Sequence, residues 1–379
     1  MRILHTSDWH LGKRLFKLDR TQEHEFFLNW LIDTLKSESI DVLLIAGDIF
    51  DTPMPPHQSI QMFYDFLSRV SVETKTETYI IAGNHDSGLL LEAPSKILKD
   101  HRVKVWGKLS DPQEHWVKIK KGNEEVELCS IPFFRSHELL PHGDGDALLS
   151  LETYLKKEKS SPQILMLHHL AGMYEASGSE QVINLSGVDS IPTAILKSFD
   201  YVALGHIHKP QRIGENMYYS GSPIPLRFSE TQKKSVVIAT VQDGKITSEI
   251  KEIPQARAFG MLKAQEEDFR DKIKALELNS SLTPMLEVQL TLSSPRVGII
   301  DEIKSLLEKK GIELLSYLPF YSGIEKKEKK NDKLFELSPM ELFEEFYQAK
   351  YPDAPEIPAD LKKDFAELVD KVKHAPRST

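Results

Sequence analysis

The chain has 379 residues, 40% of them hydrophobic and 28% charged, the composition of a soluble globular protein long enough for more than one domain. Its formal net charge of −9, from 48 basic and 57 acidic residues, excludes a protein held on nucleic acid by bulk charge alone. The single cysteine, Cys129, excludes an intrachain disulfide framework, and no apolar run approaches the ~18 residues of a membrane span. The first residues lack the pattern of a signal peptide, so a cytoplasmic location is expected.

Residues 3–6 read as a short apolar strand running into Ser7 and Asp8. From Thr21 to Lys36, Phe27, Trp30, Leu31, Thr34 and Leu35 recur at helical spacing, with Asp19 and Gln22 as a cap pair. The continuous run Val42 to Ala46 predicts a strand buried on both faces, ending at Gly47-Asp48. Ser59 to Val70 predicts a second helix carrying Ile60, Phe63, Tyr64 and Leu67. Three more strands end in polar residues. Residues 79–82 run into Gly83-Asn84-His85-Asp86, 164–167 into His168-His169, and 201–204 into Gly205-His206-Ile207-His208. Residues 236–240 and 246–253, joined by Asp243-Gly244, predict a hairpin. This alternation of strand and helix predicts an α/β layered domain.

After Pro254 the pattern becomes strand 258–265, helix 266–277, strand 285–292, helix 297–310 and strand 312–318, a small α/β domain without a ligand cluster. Residues 326–333 form a charged linker. Ser338 to Glu341 is a capping box with Pro339 at the first helical position. The helix it opens carries Leu342, Phe343, Phe346 and Tyr347. A last helix carries Leu361, Phe365, Leu368, Val369 and Val372. The resulting division is 1–255, 256–323, 324–337 as linker and 338–379 as terminal helices; no internal repeat is present.

Five strand ends carry ligand-type residues: Asp8 with His10, Asp48, Asn84-His85-Asp86, His169, and His206 with His208. In α/β sheets, active sites gather beyond the carboxyl ends of strands. Each element alone reads as a turn. The ordered set is hard to explain by packing. Imidazole, carboxylate and amide oxygen suit divalent manganese, iron or zinc. Asp48 has two oxygens and is able to bridge two such ions, which at a spacing of ~3.5–4 Å clamp a phosphate and activate water.

These residues resemble the signature of the calcineurin-like metallophosphoesterases: Asp8-x-His10, Gly47-Asp48-x-x-Asp51, Gly83-Asn84-His85-Asp86, a later strand-end histidine and Gly205-His206-x-His208. The resemblance implies a layered α/β sandwich of mixed sheets flanked by helices, with a small α/β capping domain and C-terminal helices. It implies one metal on Asp8, His10, Asp48 and His208, and another on Asp48, Asn84, His169 and His206. His169 is preferred to its neighbour His168 because Leu170 follows it. His85 would be the non-ligand histidine that protonates the leaving oxygen or steadies the transition state, with Asp86 as its orienting partner. Asp51 stands where archaeal and eukaryotic relatives carry histidine.

Three further stretches, Met1 to Lys13, Ala203 to Gln211 and Tyr219 to Pro225, closely resemble the SbcD-type bacterial nuclease subunits of that superfamily. That resemblance implies exonuclease and endonuclease action on double-strand breaks and hairpin DNA. It implies two divalent ions, manganese first with magnesium or others as alternatives. It also implies a homodimer of nuclease subunits in a heterotetramer with an SbcC-type coiled-coil ATPase. Residues 258–322 resemble the family's capping domain by position and pattern, and the terminal helices resemble the segment that grips the ATPase.

Lys13, Arg14, Lys17 and Arg20 follow the first ligand pair as a basic strip for DNA, which Arg135, Lys209 and Arg227 extend; the plain alternative is a solvated helix start. Leu342, Phe343 and Phe346, with Leu361, Phe365 and Leu368, read as faces for helix-in-groove docking of the partner, the alternative being packing on the chain's own domains. Phe16, Phe26 and Phe63 are candidates for a dimer contact. Two other function classes compete with a nuclease. A stand-alone phosphatase or small-molecule phosphodiesterase would not need the cap and terminal helices, and a non-enzymatic scaffold would not keep a complete ligand set.

Overall fold

The structure, a computed structural model, describes residues 1–16, 18–139, 147–180, 190–228, 230, 232–321, 339–350 and 357–374. Two mixed six-stranded sheets pack face to face. The first runs Lys245–Glu252, Ser235–Gln242, Arg2–Thr6, Val42–Ala46, Glu77–Ile81, Val103–Trp106. Its last four strands are parallel, and the hairpin joins antiparallel beside Arg2–Thr6. The second runs Gln211–Arg212, Met217–Tyr219, Tyr201–Gly205, Gln163–His168, Glu124–Ile131, Trp116–Lys121, parallel except at its two edge strands.

The period-two alternation of strand side chains assigns each residue to a layer. In the first sheet Ile3, Val42, Leu44, Ala46 and Ile81 point inward to meet Leu128, Ile164, Met166 and Ala203 of the second. Leu4, Leu43, Ile45 and Ile80 point outward, where helices Thr21–Ser37 and His57–Glu73 cover them with Phe27, Leu31, Phe63 and Leu67. The outer face of the second sheet, with Leu165, Leu167, Val202 and Leu204, is covered by Leu151 and Tyr154 of helix Ala147–Leu155. Val42–Ala46 is buried at every position, the expected state for a parallel strand between two covered faces.

Several local expectations change. Helix Thr21–Ser37 is capped by Arg20 without a side-chain bond, and Asp19 instead accepts from the backbone N–H of Thr21 at 2.8 Å. Strands Val103–Trp106, Trp116–Lys121 and Glu124–Ile131 escape the sequence pattern because polar residues dominate their exposed or leading positions. Phe63 is 1% exposed, packed edge-on to Trp9 and Phe50, so it is core and no dimer contact; Phe16 is 59% exposed and Phe26 is half-buried.

Met1–Leu292 and Arg296–Phe320 form one compact unit. Within it, parallel strands Phe259–Gln265 and Met285–Leu292, with Glu313–Tyr321 on the far edge, pack on helices Phe269–Ala275 and Ile299–Glu308 as the small α/β cap. A buried joint ties this cap to the sandwich. Glu23 Oε1 accepts from Arg20 Nε at 2.7 Å and from Arg257 Nε at 2.9 Å, and Arg20 lies over the Phe259 ring.

A second unit contains helices Pro339–Lys350 and Ala359–His374. Phe343 stacks on Phe365 at 4.2 Å, so these two pair with each other, while Leu342, Phe346 and Leu361 stay exposed. The side chain of Leu368, the linker 324–337 and Ser338 lie outside the described residues. Among the described residues no helix is long and apolar enough to cross a membrane.

Candidate two-metal centre

The five strand ends converge at one edge of the sandwich, and tight backbone makes that convergence possible. Asp8, His10, Asp48 and His206 all have positive φ, 54°, 47°, 50° and 97°, a costly conformation for residues with a Cβ and one found at functional sites. Backbone bonds fix these turns to one another: Asp8 N–H donates to Gly47 O at 2.9 Å and His10 N–H to Asp48 O at 3.0 Å. Two glycines are required by close approach. A Cβ on Gly83 would lie 2.2 Å from Asp48 Oδ1, and one on Gly205 would lie 1.9 Å from Ala46 O.

The result is two overlapping donor sets. Ligand atoms of Asp8, His10, Asp48 and His208 lie within 4.8 Å of one another, as do those of Asp48, His168 and His206. Asp48 Oδ2 is 3.6 Å from His10 Nε2 and 3.4 Å from His168 Nε2, midway between the two sets. Asn84 Oδ1 joins the second set, 3.0 Å from His168 Nε2 and 2.8 Å from His206 Nδ1. Asp8 Oδ1 accepts from His206 N–H at 2.9 Å, and its other oxygen accepts from Ser7, whose hydroxyl meets Ser220.

Two expectations are corrected. His168, not His169, faces the centre: its Nδ1 bonds Ala46 O at 2.7 Å, which aims Nε2 at Asn84 and Asp48. The His169 ring stacks on Phe133 and Phe134 instead. His168 is the last residue of its strand, so its side chain keeps the inward alternation of Ile164 and Met166, and the next residue turns away. Asp86 is not the partner of His85. Its carboxylate accepts from three backbone N–H groups, Gly83 at 2.9 Å, Phe50 at 2.9 Å and Ile49 at 3.1 Å, and so pins two loops together. His85 Nδ1 is held by Asp51 O at 2.8 Å, and its backbone N–H donates to Asp48 Oδ1.

The electrostatics call for cations. Burial, reinforced by the charge of Asp48, pushes Asp8 up to about 7. Burial would lower His168, but the carboxylates of Asp48 and Asp8 overcome it and raise the ring to about 9. Burial would likewise raise Asp48, and His168 and His10 pull it well below the usual range. Burial lowers His206 to about 3 and holds His208 low, so both are neutral donors. A proton on His168 thus supplies positive charge that a pair of divalent ions would supply better. The set of carboxylate, amide and imidazole donors fits such ions. His10 Nε2 and His208 Nε2, facing at 3.1 Å in a buried site, are arranged to share one.

The basic strip divides. Lys13 Nζ is 3.0 Å from Asp51 Oδ1 and so lies beside His10. Arg14 is exposed on the short strand Arg14–Leu15, and Lys17 lies outside the described residues. Arg20 is 1% exposed and consumed by Glu23 and Pro225 O, so it is a structural residue of the cap joint, not a DNA contact. Arg135 and Arg227 are exposed, whereas Lys209 pairs with Glu175. The sequence reading missed Ser179, Glu180, Glu230 and Lys234, which back His208 from behind. Lys233-Lys234 looks like a surface pair, and Ser177 to Glu180 is a polar stretch with no periodic signal.

Comparison with known proteins agrees with this geometry. Residues 1–210 match the family model for calcineurin-like phosphoesterases, and residues 255–351 match that described as the type 5 capsule protein repressor C-terminal domain. The chain is 30% identical over 338 residues to the SbcD subunit of nuclease SbcCD from Escherichia coli K12, covering 83% of this chain and 84% of that one. It is 34% identical over 257 residues to the Rhodobacter capsulatus SbcD, covering 61% and 64%. It is 32% identical over 266 residues to the SbcD of Bacillus subtilis, covering 64% and 67%. With its centre of buried donors and these relatives, the chain belongs to the calcineurin-like phosphoesterases, metal-dependent hydrolases, and within them to the SbcD nucleases.

Proposed function

We propose that the chain cuts DNA phosphodiesters at double-stranded and hairpin ends with two divalent cations, manganese first, with magnesium or another divalent ion as the alternative. Asp8, His10, Asp48 and His208 hold one cation, and Asp48, Asn84, His168 and His206 hold the other. When bound, the pair polarises the phosphoryl oxygens and activates water for attack. The chain's own residues do the rest. The Asp48 carboxylate lies between the two donor sets and fixes their spacing. Asp51 O accepts from His85 Nδ1–H, so in the imidazolium form of the ring Nε2–H, without a partner among the described residues, is the group that gives a proton to the leaving oxygen and returns the ring to its neutral Nδ1–H tautomer. Lys13 and Arg14, with Lys17, meet backbone phosphates.

The division into nuclease 1–255, cap 256–323, linker 324–337 and terminal helices 338–379 gives each part a role. Exposed Leu342, Phe346 and Leu361 are the anchors by which the helices dock an SbcC-type coiled-coil ATPase, which supplies the DNA affinity that a net charge of −9 withholds. Two nuclease subunits pair within a heterotetramer in the cytoplasm. The observation that carries the reading is the convergence of Asp8, Asp48, Asn84, His168, His206 and His208 on overlapping donor sets. The test is digestion of open-ended, end-blocked and hairpin DNA with and without Mn²⁺, the ATPase and ATP. Cleavage should require Mn²⁺ and reach blocked ends only with partner and ATP. Hydrolysis of mononucleotide esters with no DNA cleaved under any condition would overturn it.

A further inference from the structure

We infer that half-buried Ser179 and the buried pair Glu230 and Lys234 form a relay that fixes the His208 ring and sets how tightly one of the two cations is held. The inference rests on the reading of His208 as a ligand. His208 Nε2 faces His10 in the centre, while Nδ1 lies 2.5 Å from Ser179 Oγ. Ser179 Oγ is 2.6 Å from Glu230 Oε1. Glu230 Oε2 accepts from Lys234 Nζ at 2.5 Å and from Leu226 N–H at 3.2 Å. Lys234 also donates to His208 O at 3.1 Å and to Ser222 Oγ at 2.9 Å.

The charged end of the chain sets its direction, and Ser177 Oγ, 2.7 Å from Ser179 Oγ, has its own acceptor in Glu180 Oε1 at 2.9 Å. An ammonium only donates and a carboxylate only accepts. Ser179 therefore gives its hydroxyl hydrogen to Glu230 and accepts from His208 Nδ1–H with a lone pair. The proton on Nδ1 leaves the lone pair of Nε2 aimed at the centre, the tautomer a ligand needs. Glu180 Oε1 accepts from His208 N–H at 3.0 Å, so adjacent residues grip both ring and backbone.

His208 is set apart from His168 by what stands behind it. His168 is backed by a neutral carbonyl, Ala46 O. His208 is backed, through one hydroxyl, by a carboxylate, a support that holds the ring in one orientation and one tautomer. The Lys234–Glu230 pair is wholly buried, 0% exposed on both sides. Such a pair is a poor way to stabilise a core, because desolvation offsets most of its attraction. Its placement behind a ligand gives it a positioning role.

The test is calorimetric titration of Mn²⁺ alone into chelator-stripped protein, with thermal melting as the check on folding. Ser179→Ala should weaken one of the two ions by about 10- to 100-fold and leave the other unchanged, and Ser179→Thr should restore it. The paired variant Glu230→Gln with Lys234→Met, which avoids an unpaired buried charge, should weaken the same ion. Wild-type affinity in Ser179→Ala, equal loss of both ions, or no rescue by threonine would each overturn the relay. Wild-type binding by the paired variant would remove Glu230 and Lys234 from it. His208→Ala separates the layers. If it weakens one ion while Ser179→Ala does not, the relay alone fails; if it weakens neither, the ligand reading fails with it.

Discussion

The sandwich and the cap are built from the same alternation of apolar strands and amphipathic helices, yet they bury charge in opposite ways. At the strand ends of the sandwich Asp8, His10, Asp48, His168, His206 and His208 are all nearly inaccessible. In the cap the interior is Leu286, Val288, Leu290, Ile303 and Leu307, and its buried charges among the described residues are Glu287 and, at the joint, Arg257. Packing accounts for the apolar interior of the cap. It does not account for the sandwich edge, where buried charge is costly unless it is paired or coordinates a metal. The contrast shows that buried charge, more than fold or apolar content, separates the region that carries the donor sets from the region that does not.

The sharpest way to break this contrast is to remove the carboxylate between the donor sets. Asp48→Asn should lower metal-dependent phosphodiester turnover by on the order of 10³-fold or more and weaken both ions. Near-normal turnover in a folded variant would mean that the buried charge is structural after all. His85→Gln divides the centre further. It should keep both metals by calorimetry while turnover falls by about 10²- to 10⁴-fold; loss of metal alongside activity would make His85 a ligand. Glu23→Gln probes the other region, because it leaves Arg20 and Arg257 facing each other without their shared carboxylate. Denaturant melts should show a loss of about 3–5 kcal/mol with both Mn²⁺ affinities unchanged. A parallel fall in metal affinity would show that joint and centre are not separable.

Much of the sandwich is legible in sequence because its parallel strands are short apolar runs that end abruptly in ligand residues. Val42–Ala46 and its Asp48 are the clearest case. The choice between His168 and His169 is not legible, because it turns on where the strand's alternation stops, one residue from the position that sequence likeness favours. Arg20 reads as a DNA contact for a similar reason. It follows Lys13, Arg14 and Lys17 in the chain, and only the cap, more than two hundred residues later, supplies the Arg257 and Phe259 that enclose it. The support behind His208 is hidden in the same way, since Ser179 and Glu230 are far apart in sequence and each looks like ordinary surface.

The His168 Nδ1–H bond to Ala46 O crosses from one sheet to the other at 2.7 Å. Asp8, His10, Asp48 and Asn84 follow strands of the first sheet, and His168, His206 and His208 belong to the second. Each donor set therefore draws on both sheets, and any change that parted the sheets would dismantle both sets together.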